Sequence, residues 1–129
     1  MIQGVGIDLC EAQRMEKCLQ RQASCDHVFA PAEQELLGGL SGSRRCETAA
    51  ANFAAKEAFL KAAGTGLGGF ALTDLALLRA PNGAPYFALG GRAAAWAEQR
   101  GLTVHVSLTH EKGLAEAIVL LESRRPKGE

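Results

Sequence analysis

Hydrophobic residues recur along the chain with spacings that switch between those of strands and those of helices. A period of two predicts strands at residues 2–9, 72–80, 86–89, 103–109 and 114–121. A period near 3.6, bounded by Gly and Pro, predicts helices at residues 11–21, 31–37, 45–63 and 92–100. This order of elements predicts an α+β domain, in which a mostly antiparallel sheet packs on one long helix.

The chain of 129 residues has the size of one domain. No repeat or linker divides it, so we expect a single domain over residues 1–122, followed by a polar tail, residues 123–129, without regular structure. Ala accounts for 23 residues, against five Phe, one Trp and one Tyr. A core of such small side chains favours close backbone packing and stabilisation through association between copies.

Charge and length exclude several classes of protein. The 14 basic residues are balanced by 14 acidic residues, which excludes a uniformly basic surface for nucleic acid or membranes. The aliphatic stretch 114–121 is far shorter than the ~20 residues that span a bilayer, and the first residues lack the features of a signal peptide. We therefore expect a cytoplasmic protein that binds neither nucleic acid nor membranes. The four cysteines have no C-x-x-C spacing, so we expect free thiols.

Two carboxylates occupy unusual positions for ionised groups. Asp8 lies near the end of an apolar strand, and Glu57 falls within the apolar stripe of the long helix. Mg²⁺ typically takes one or two protein carboxylates, so this pair is sufficient for a magnesium site. Two structural alternatives remain open: Asp8 caps the helix that begins near Glu11, and Glu57 forms an intrahelical ion pair with Lys61.

Two further segments have both a structural and a functional interpretation. The Gly-rich segment 64–69 is typical of a helix end, and its N–H groups would equally form an anion-binding nest. His105, Ser107 and Thr109 share one face of a predicted strand, with His110 next along the chain. That face is either exposed to solvent or part of a site.

Arg14, Lys17 and Arg21 follow one face of the predicted helix 11–21. Such a stripe is either a solvated face or a surface that attracts an acidic protein.

Three segments resemble the holo-acyl-carrier-protein synthases, the small 4′-phosphopantetheinyl transferases. Residues 1–11, MIQGVGIDLCE, resemble that family's amino-terminal G-x-G-x-D-x-x-E motif. Residues 53–66, FAAKEAFLKAAGTG, are similar to its second motif almost letter for letter, and residues 104–110, VHVSLTH, to its histidine strand. Residues 82–85 fit an intervening segment. The resemblance therefore covers nearly the whole chain in the right order.

The resemblance implies a fold, a reaction and roles for individual residues. The family moves the phosphopantetheine arm of coenzyme A to a serine of apo-acyl carrier protein and releases adenosine 3′,5′-bisphosphate. Asp8 and Glu57 would hold Mg²⁺, and Lys61 would stabilise the leaving phosphate. The general base would be Glu57, a metal-bound water or His110. Residues that would bind coenzyme A are Arg45, Gly64, Thr65, Gly66, Pro85, His105 and Thr109.

The resemblance also implies partners and one departure. Arg14, Lys17 and Arg21 would dock the acidic carrier protein, and the family is typically a homotrimer that serves fatty acid biosynthesis. The family commonly has Arg before Phe53, where this chain has Asn52. One phosphate contact is therefore either missing or supplied by Arg44 or Arg45.

Two other functions use the same residues. A magnesium-dependent nucleotide or pyrophosphate hydrolase would need the same carboxylates and Gly-rich turn, with water as the nucleophile. A non-catalytic module would use the Arg14 stripe to bind an acidic partner, with Asp8 and Glu57 in structural roles.

Overall fold

The computed structural model describes residues 1–66 and 69–124. Its elements follow the order β1 (Ile2–Glu11), α1 (Ala12–Leu19), α2 (Gln22–Val28), α3 (Pro31–Gly38), α4 (Gly42–Ala63), a 3₁₀ turn (Leu72–Asp74), β2 (Leu75–Arg79), β3 (Pro85–Leu89), α5 (Gly91–Gln99), β4 (Leu102–Glu111) and β5 (Leu114–Ser123). The predicted α+β class is confirmed.

The strands form two antiparallel sheets. A three-stranded sheet has the order β1-β5-β4, and β2 and β3 form a separate hairpin. The helix α4 covers one face of the larger sheet and contacts β1 and β5 most extensively. The predicted layering of a long helix on an antiparallel sheet is therefore confirmed.

Some predicted element boundaries differ from the observed ones. The helix predicted over residues 11–21 ends at Leu19, and a short helix that was not predicted, α2, follows it. Its seven residues are too few to display a helical period. The strand β5 extends to Ser123, where a tail was predicted, and Arg124 N–H bonds the Gly101 carbonyl at 2.8 Å. Residues 125–129 of the predicted tail lie outside the described residues.

The core combines small and aromatic side chains. Ala50, Ala54 and Ala58 on α4 are completely buried, which brings the helix close to the sheet. On the other side of α4, the buried ring of Phe59 lies 5.4 to 6.2 Å from the rings of Phe70, Phe87 and Trp96. Four of the seven aromatic residues thus lie where α4 meets the hairpin and α5. Within residues 1–66 and 69–124, no helix is long and apolar enough to cross a bilayer.

Candidate active site

The glycines of β1 determine how closely α4 approaches the strand. A Cβ atom built on Gly4 would lie 2.0 Å from the Ala62 carbonyl oxygen, and one on Gly6 would lie 1.9 Å from that of Ala58. Neither position has room for a side chain. The missing side chains therefore let α4 lie directly against β1, next to Asp8.

Asp8, Glu57 and Lys61 come together across this contact. The Lys61 ammonium donates to Asp8 Oδ1 at 3.0 Å and to the Ile7 carbonyl at 3.0 Å. Glu57 is half-buried one turn earlier on α4. The side chain of Asp8 is 22% exposed and that of Lys61 is 55% exposed, so this cluster is open to solvent and to a ligand.

The pKa of Glu57 is raised. Burial is the largest cause, and the negative charge of Asp8 adds to it, while Lys61 and Arg14 act in the opposite direction. A divalent cation relieves the repulsion between two neighbouring carboxylates, and oxygen ligands of this type suit Mg²⁺. The residues present therefore fit a magnesium ion.

Both structural alternatives for these carboxylates are wrong. The N-cap of α1 is Glu11, and no side chain caps that helix, so Asp8 does not have the capping role. Lys61 pairs with Asp8 on β1, and among the described residues it forms no ion pair with Glu57 on its own helix. Lys61 pairs with Asp8 because the tight contact between α4 and β1 brings Asp8 within reach of its ammonium.

The long helix ends immediately beside this cluster. Gly64 has φ of 76° and Gly66 has φ of 66°, both in the left-handed region that favours glycine. The N–H groups of Thr65 and Gly66 bond back to the Leu60 carbonyl, which completes a helix stop. Residues 67 and 68 of the predicted Gly-rich turn lie outside the described residues.

A second charged cluster lies on a neighbouring, buried face of α4 and was not predicted. Lys56 is completely buried, and its ammonium donates to Glu33 Oε1 at 2.6 Å, the Val28 carbonyl at 2.7 Å and the Leu72 carbonyl at 2.7 Å. These bonds use all three of its N–H donors. Lys56 is therefore a structural member of the second motif, although it is the neighbour of Glu57.

Asn52 belongs to this buried cluster. Its amide nitrogen donates to Glu33 Oε2 at 2.9 Å and to the Leu77 carbonyl at 3.0 Å, and its amide oxygen accepts from Arg79 Nη2 at 2.9 Å. The side chain is completely buried. The local sequence around Asn52, one turn before Lys56, does not predict this network, because the partners of Asn52 lie 19 to 27 residues away.

Thr109 and His110 lie near the other end of α4. Together with Arg44 and Arg79 they line a cavity of about 400 Å³. His110 is 68% exposed, and its Nδ1 lies 3.5 Å from Glu47 Oε2. Glu47 precedes Glu57 by ten residues, roughly 15 Å along a helix. Within one chain, the structure therefore does not bring His110 to Asp8 and Glu57.

Arg45 faces a separate cavity of about 710 Å³ between α1, the start of α4 and Gly113. Its Nε atom is buried and, in the described part of the chain, has no hydrogen-bond partner. An unpartnered guanidinium nitrogen beside a cavity is suited to an anionic or carbonyl ligand. Pro85 begins β3 opposite Arg79 in the hairpin register.

The predicted basic stripe is exposed but does not follow one helix. Arg14 and Lys17 lie on α1, whereas Arg21 lies beyond its end as the N-cap of α2. The Arg14 guanidinium lies 5.0 Å from the centre of the Phe53 ring, one turn before Glu57. Arg14 therefore borders the cluster of Asp8, Glu57 and Lys61, and Lys17 lies one turn further along α1.

The outer face of the three-stranded sheet, opposite α4, is unusually apolar. Val5, Ile7 and Leu9 are each between 51% and 55% exposed. In the strand register, Ile7 lies beside Ile118, and Ser107 lies on the other side of that residue. The predicted alternation in β4 is confirmed, since its exposed residues are His105, Ser107, Thr109, His110 and Glu111. His105 Nε2 is 2.9 Å from Glu122 Oε1.

Comparisons with known proteins show which family the chain resembles. Residues 4–117 match the sequence model of the 4′-phosphopantetheinyl transferase superfamily. The chain is 43% identical to the holo-[acyl-carrier-protein] synthase of Treponema denticola, over 95% of this chain and 99% of the relative. It is also 43% identical to the enzyme of the same name from Trichlorobacter lovleyi, with the same two coverages.

Solved structures of such synthases share the fold. The Bacillus anthracis structure, in complex with CoA (3′,5′-ADP), is 36% identical with a TM-score of 0.81 and covers 95% of this chain and 98% of its own. The Neisseria meningitidis structure is 29% identical with a TM-score of 0.85 and covers 95% of this chain and all of its own.

Proposed function

Because the chain belongs to the 4′-phosphopantetheinyl transferase superfamily, we propose that it transfers the 4′-phosphopantetheine arm of coenzyme A to a serine of apo-acyl carrier protein. The enzyme class is that of its full-length relatives, the holo-[acyl-carrier-protein] synthases. The observation that carries the reaction is the solvent-accessible cluster of Asp8, Glu57 and Lys61 beside the glycine-rich end of α4.

In this reaction the serine oxygen attacks the phosphorus that bears the pantetheine arm, and the bond from that phosphorus to the nucleotide oxygen breaks. Asp8 and Glu57 would hold Mg²⁺, which when bound supplies charge neutralisation on the pyrophosphate. Lys61 would place its ammonium against the leaving nucleotide phosphate. Gly64 and Gly66 have no side chains, which would let phosphate oxygens approach the end of α4 closely.

The serine proton needs an acceptor. Glu57 is the candidate that lies inside the cluster, where it is half-buried beside Asp8. His110 would reach the cluster only from a neighbouring copy of the chain. We therefore favour Glu57, or a water that it orients, as the acceptor.

The nucleotide half of coenzyme A would extend from this cluster toward the start of α4. Arg45, with its unpartnered Nε, and Thr109 with its exposed hydroxyl group lie at that end. Pro85 pairs with Arg79, which lines the same cavity as Thr109, and His105 lies four residues before Thr109 on β4. These residues supply cationic, hydroxyl and imidazole groups that suit a phosphorylated nucleoside.

We propose that the chain forms a homotrimer through the outer face of the three-stranded sheet. Val5, Ile7 and Leu9 form a contiguous apolar surface there with Ile118 and Leu120 of β5. Contiguous exposed apolar surface of this kind is typical of an interface between proteins. Contact through this face would place His105 and Thr109 of one copy at the boundary with the next.

The subunit interface is tested by light scattering after gel filtration. The wild-type protein is expected to have three times the mass of the chain, and Ile7→Lys, which places a charge in the apolar face, is expected to give monomers. Tyr86→Lys is the control, because it changes an exposed hydrophobic residue on the hairpin. Leu36→Lys is less suitable, because Leu36 is half-buried. A monomeric wild-type protein would contradict the proposal.

Arg14, Lys17 and Arg21 are the surface that we propose for carrier docking. They are exposed next to the reactive cluster, as a docking surface for the acidic helix beside the carrier's serine requires. We further propose that the carrier belongs to fatty acid biosynthesis and that the reaction takes place in the cytoplasm. The four free cysteines suit such a reducing compartment.

The mass of the carrier tests the reaction. Purified protein is incubated with coenzyme A, Mg²⁺ and the apo-acyl carrier protein of fatty acid synthesis, and the carrier is weighed by mass spectrometry. Transfer adds one phosphopantetheine to the carrier and releases one adenosine 3′,5′-bisphosphate. An unmodified carrier together with cleaved coenzyme A would identify a hydrolase instead, and an unmodified carrier with intact coenzyme A would favour a binding module. Chelation of Mg²⁺ by EDTA is expected to stop the transfer.

A further inference from the structure

Arg14 has a contact that distinguishes it from Lys17 and Arg21. Its guanidinium carbon lies 5.0 Å from the centre of the Phe53 ring, within the range of a cation–π contact. Among residues 1–66 and 69–124, neither Lys17 nor Arg21 lies over an aromatic ring. The chain therefore orients one of these three basic side chains and leaves the other two without such support.

Phe53 is a fixed support for this cation. It is the first residue of the second motif, its side chain is 9% exposed, and it packs in the core of the domain. Glu57 follows it by four residues, so the two side chains share one face of α4. The charge of Arg14 acts on Glu57, where it opposes the increase in the pKa of that carboxyl. The ring thus holds Arg14 beside the reactive cluster.

The contact with Phe53 uses none of the hydrogen-bond donors of Arg14. An aromatic ring attracts the cation through its π face, and a guanidinium has five N–H donors. In the described part of the chain, the exposed Arg14 side chain forms no hydrogen bond and no ion pair. The Lys61 ammonium, by contrast, already donates to Asp8 and to the Ile7 carbonyl. Arg14 is therefore oriented and still able to bind a carboxylate through two parallel hydrogen bonds.

Orientation before binding lowers the entropic cost of docking. A free surface arginine samples many rotamers, and a partner must restrict them when it binds. A guanidinium that already rests on Phe53 has lost part of this freedom before the partner arrives. Because the guanidinium is held next to Glu57, a carrier helix that binds it also brings the neighbouring serine toward the reactive cluster.

We propose that Phe53 is a positioning residue for carrier docking, because its ring holds the Arg14 guanidinium ready for an acidic residue of the carrier, one helical turn from Glu57. This inference rests on the proposed function, since it assumes that an acyl carrier protein docks on Arg14. It assigns a role to the aromatic residue that begins the second motif. In this role Phe53 acts through Arg14 and does not touch the reacting atoms.

A double-mutant cycle between Phe53 and Arg14 is the direct test. KM for the carrier, KM for coenzyme A and kcat are measured for the wild-type protein, Phe53→Met, Arg14→Met and the double variant. Phe53→Met keeps an apolar side chain but removes the ring, and it is expected to raise KM for the carrier about two- to tenfold. KM for coenzyme A and kcat are expected to stay within about twofold of the wild-type values. In the Arg14→Met background, Phe53→Met is expected to change KM for the carrier no further, because the ring then has no cation to hold.

Phe70 provides the matched control. Its side chain is buried like that of Phe53, and its ring lies 6.0 Å from the guanidinium of Arg92, which is not part of the proposed docking surface. Phe70→Met is expected to leave KM for the carrier at the wild-type value. Phe53→Tyr keeps the ring and is expected to retain the wild-type KM. An unchanged KM in Phe53→Met, the same rise in Phe70→Met, or additive effects in the cycle would overturn the inference.

Arg14→Lys keeps the inference testable if Phe53→Met does not fold. Lysine keeps the charge but lacks the planar guanidinium that rests on the ring, so a rise in KM for the carrier is expected and a wild-type KM would overturn the inference. Calorimetric titration of the apo-carrier in the absence of coenzyme A separates this inference from the proposed function. A wild-type protein that binds no carrier would contradict both. Carrier binding of equal affinity in the wild-type protein and Phe53→Met would contradict the role of Phe53 alone.

Discussion

Lys56 and Glu57 are neighbours on α4, yet their surroundings are opposite. Lys56 is completely buried and has a hydrogen-bond acceptor for each of its three donors. Glu57 is half-buried, faces Asp8 and has a raised pKa. A charge whose bonds are all satisfied within the chain has no capacity left for a ligand. The number of hydrogen bonds within the chain therefore distinguishes Lys56, which has a structural role, from Glu57, which is available for the reaction.

The largest effect on folding is expected at Lys56. Lys56→Met keeps most of the side-chain volume but leaves the buried Glu33 carboxylate without its cation. Breaking a buried pair in this way costs about 3–5 kcal/mol, which urea denaturation measures. Lys61→Met removes an ammonium that is 55% exposed and is expected to cost less than about 1 kcal/mol. Equal urea midpoints for Lys56→Met and Lys61→Met would contradict this contrast between a buried and an exposed ammonium.

The largest effect on activity is expected at Glu57. Glu57→Gln keeps the shape of the side chain and removes its charge, so it weakens the proposed magnesium site and is expected to lower carrier modification by about 10²–10³-fold. Its stability is expected to remain close to that of the wild-type protein. Glu98→Gln is the matched control, since Glu98 is exposed on α5. If Glu57→Gln modified the carrier at the wild-type rate under limiting Mg²⁺, Glu57 would have no role in the reaction.

The contact that brings the cluster together is tested at Gly6. A Cβ on this residue would lie 1.9 Å from the Ala58 carbonyl oxygen, so Gly6→Ala must push α4 away from β1. We expect a loss of about 1–3 kcal/mol in the free energy of unfolding, together with reduced activity. At Gly38 no atom lies within 4 Å of the added Cβ. Gly38→Ala is therefore expected to be nearly neutral, and similar losses in both variants would argue against close packing as the cause.

The sequence allowed prediction of the elements that have a strong local pattern. The long helix of residues 45–63, the β4 alternation and the antiparallel class are confirmed because each follows from spacing within the segment. The helix α2 and the split of the strands into two sheets were not predicted, since neither depends on a local period. The same limit applies to the site. Asp8 and Glu57 are conspicuous as charges in apolar segments, whereas the bonds from Asn52 to Leu77 and Arg79 join residues that are 25 and 27 positions apart.

The smallest effect is expected on the exposed side of the reactive cluster. Arg14→Glu combined with Arg21→Glu reverses two charges of the proposed docking surface and is expected to raise KM for the carrier about tenfold at low salt, with little change in kcat. The difference from the wild-type protein is expected to shrink as salt screens the surface. Arg92→Glu, on the exposed face of α5, is the control. An unchanged KM for the carrier would mean that these arginines are solvated surface residues without a role in docking.

The affinity for Mg²⁺ tests most directly whether Glu57, the residue of this pair that faces Asp8, belongs to the reactive site. Calorimetry follows the titration of Mg²⁺ into the wild-type protein and into Glu57→Gln, each saturated with coenzyme A in the absence of carrier. We predict a saturable site in the wild-type protein and at least tenfold weaker binding in Glu57→Gln. The same affinity in both proteins would contradict the assignment of Glu57 to the metal.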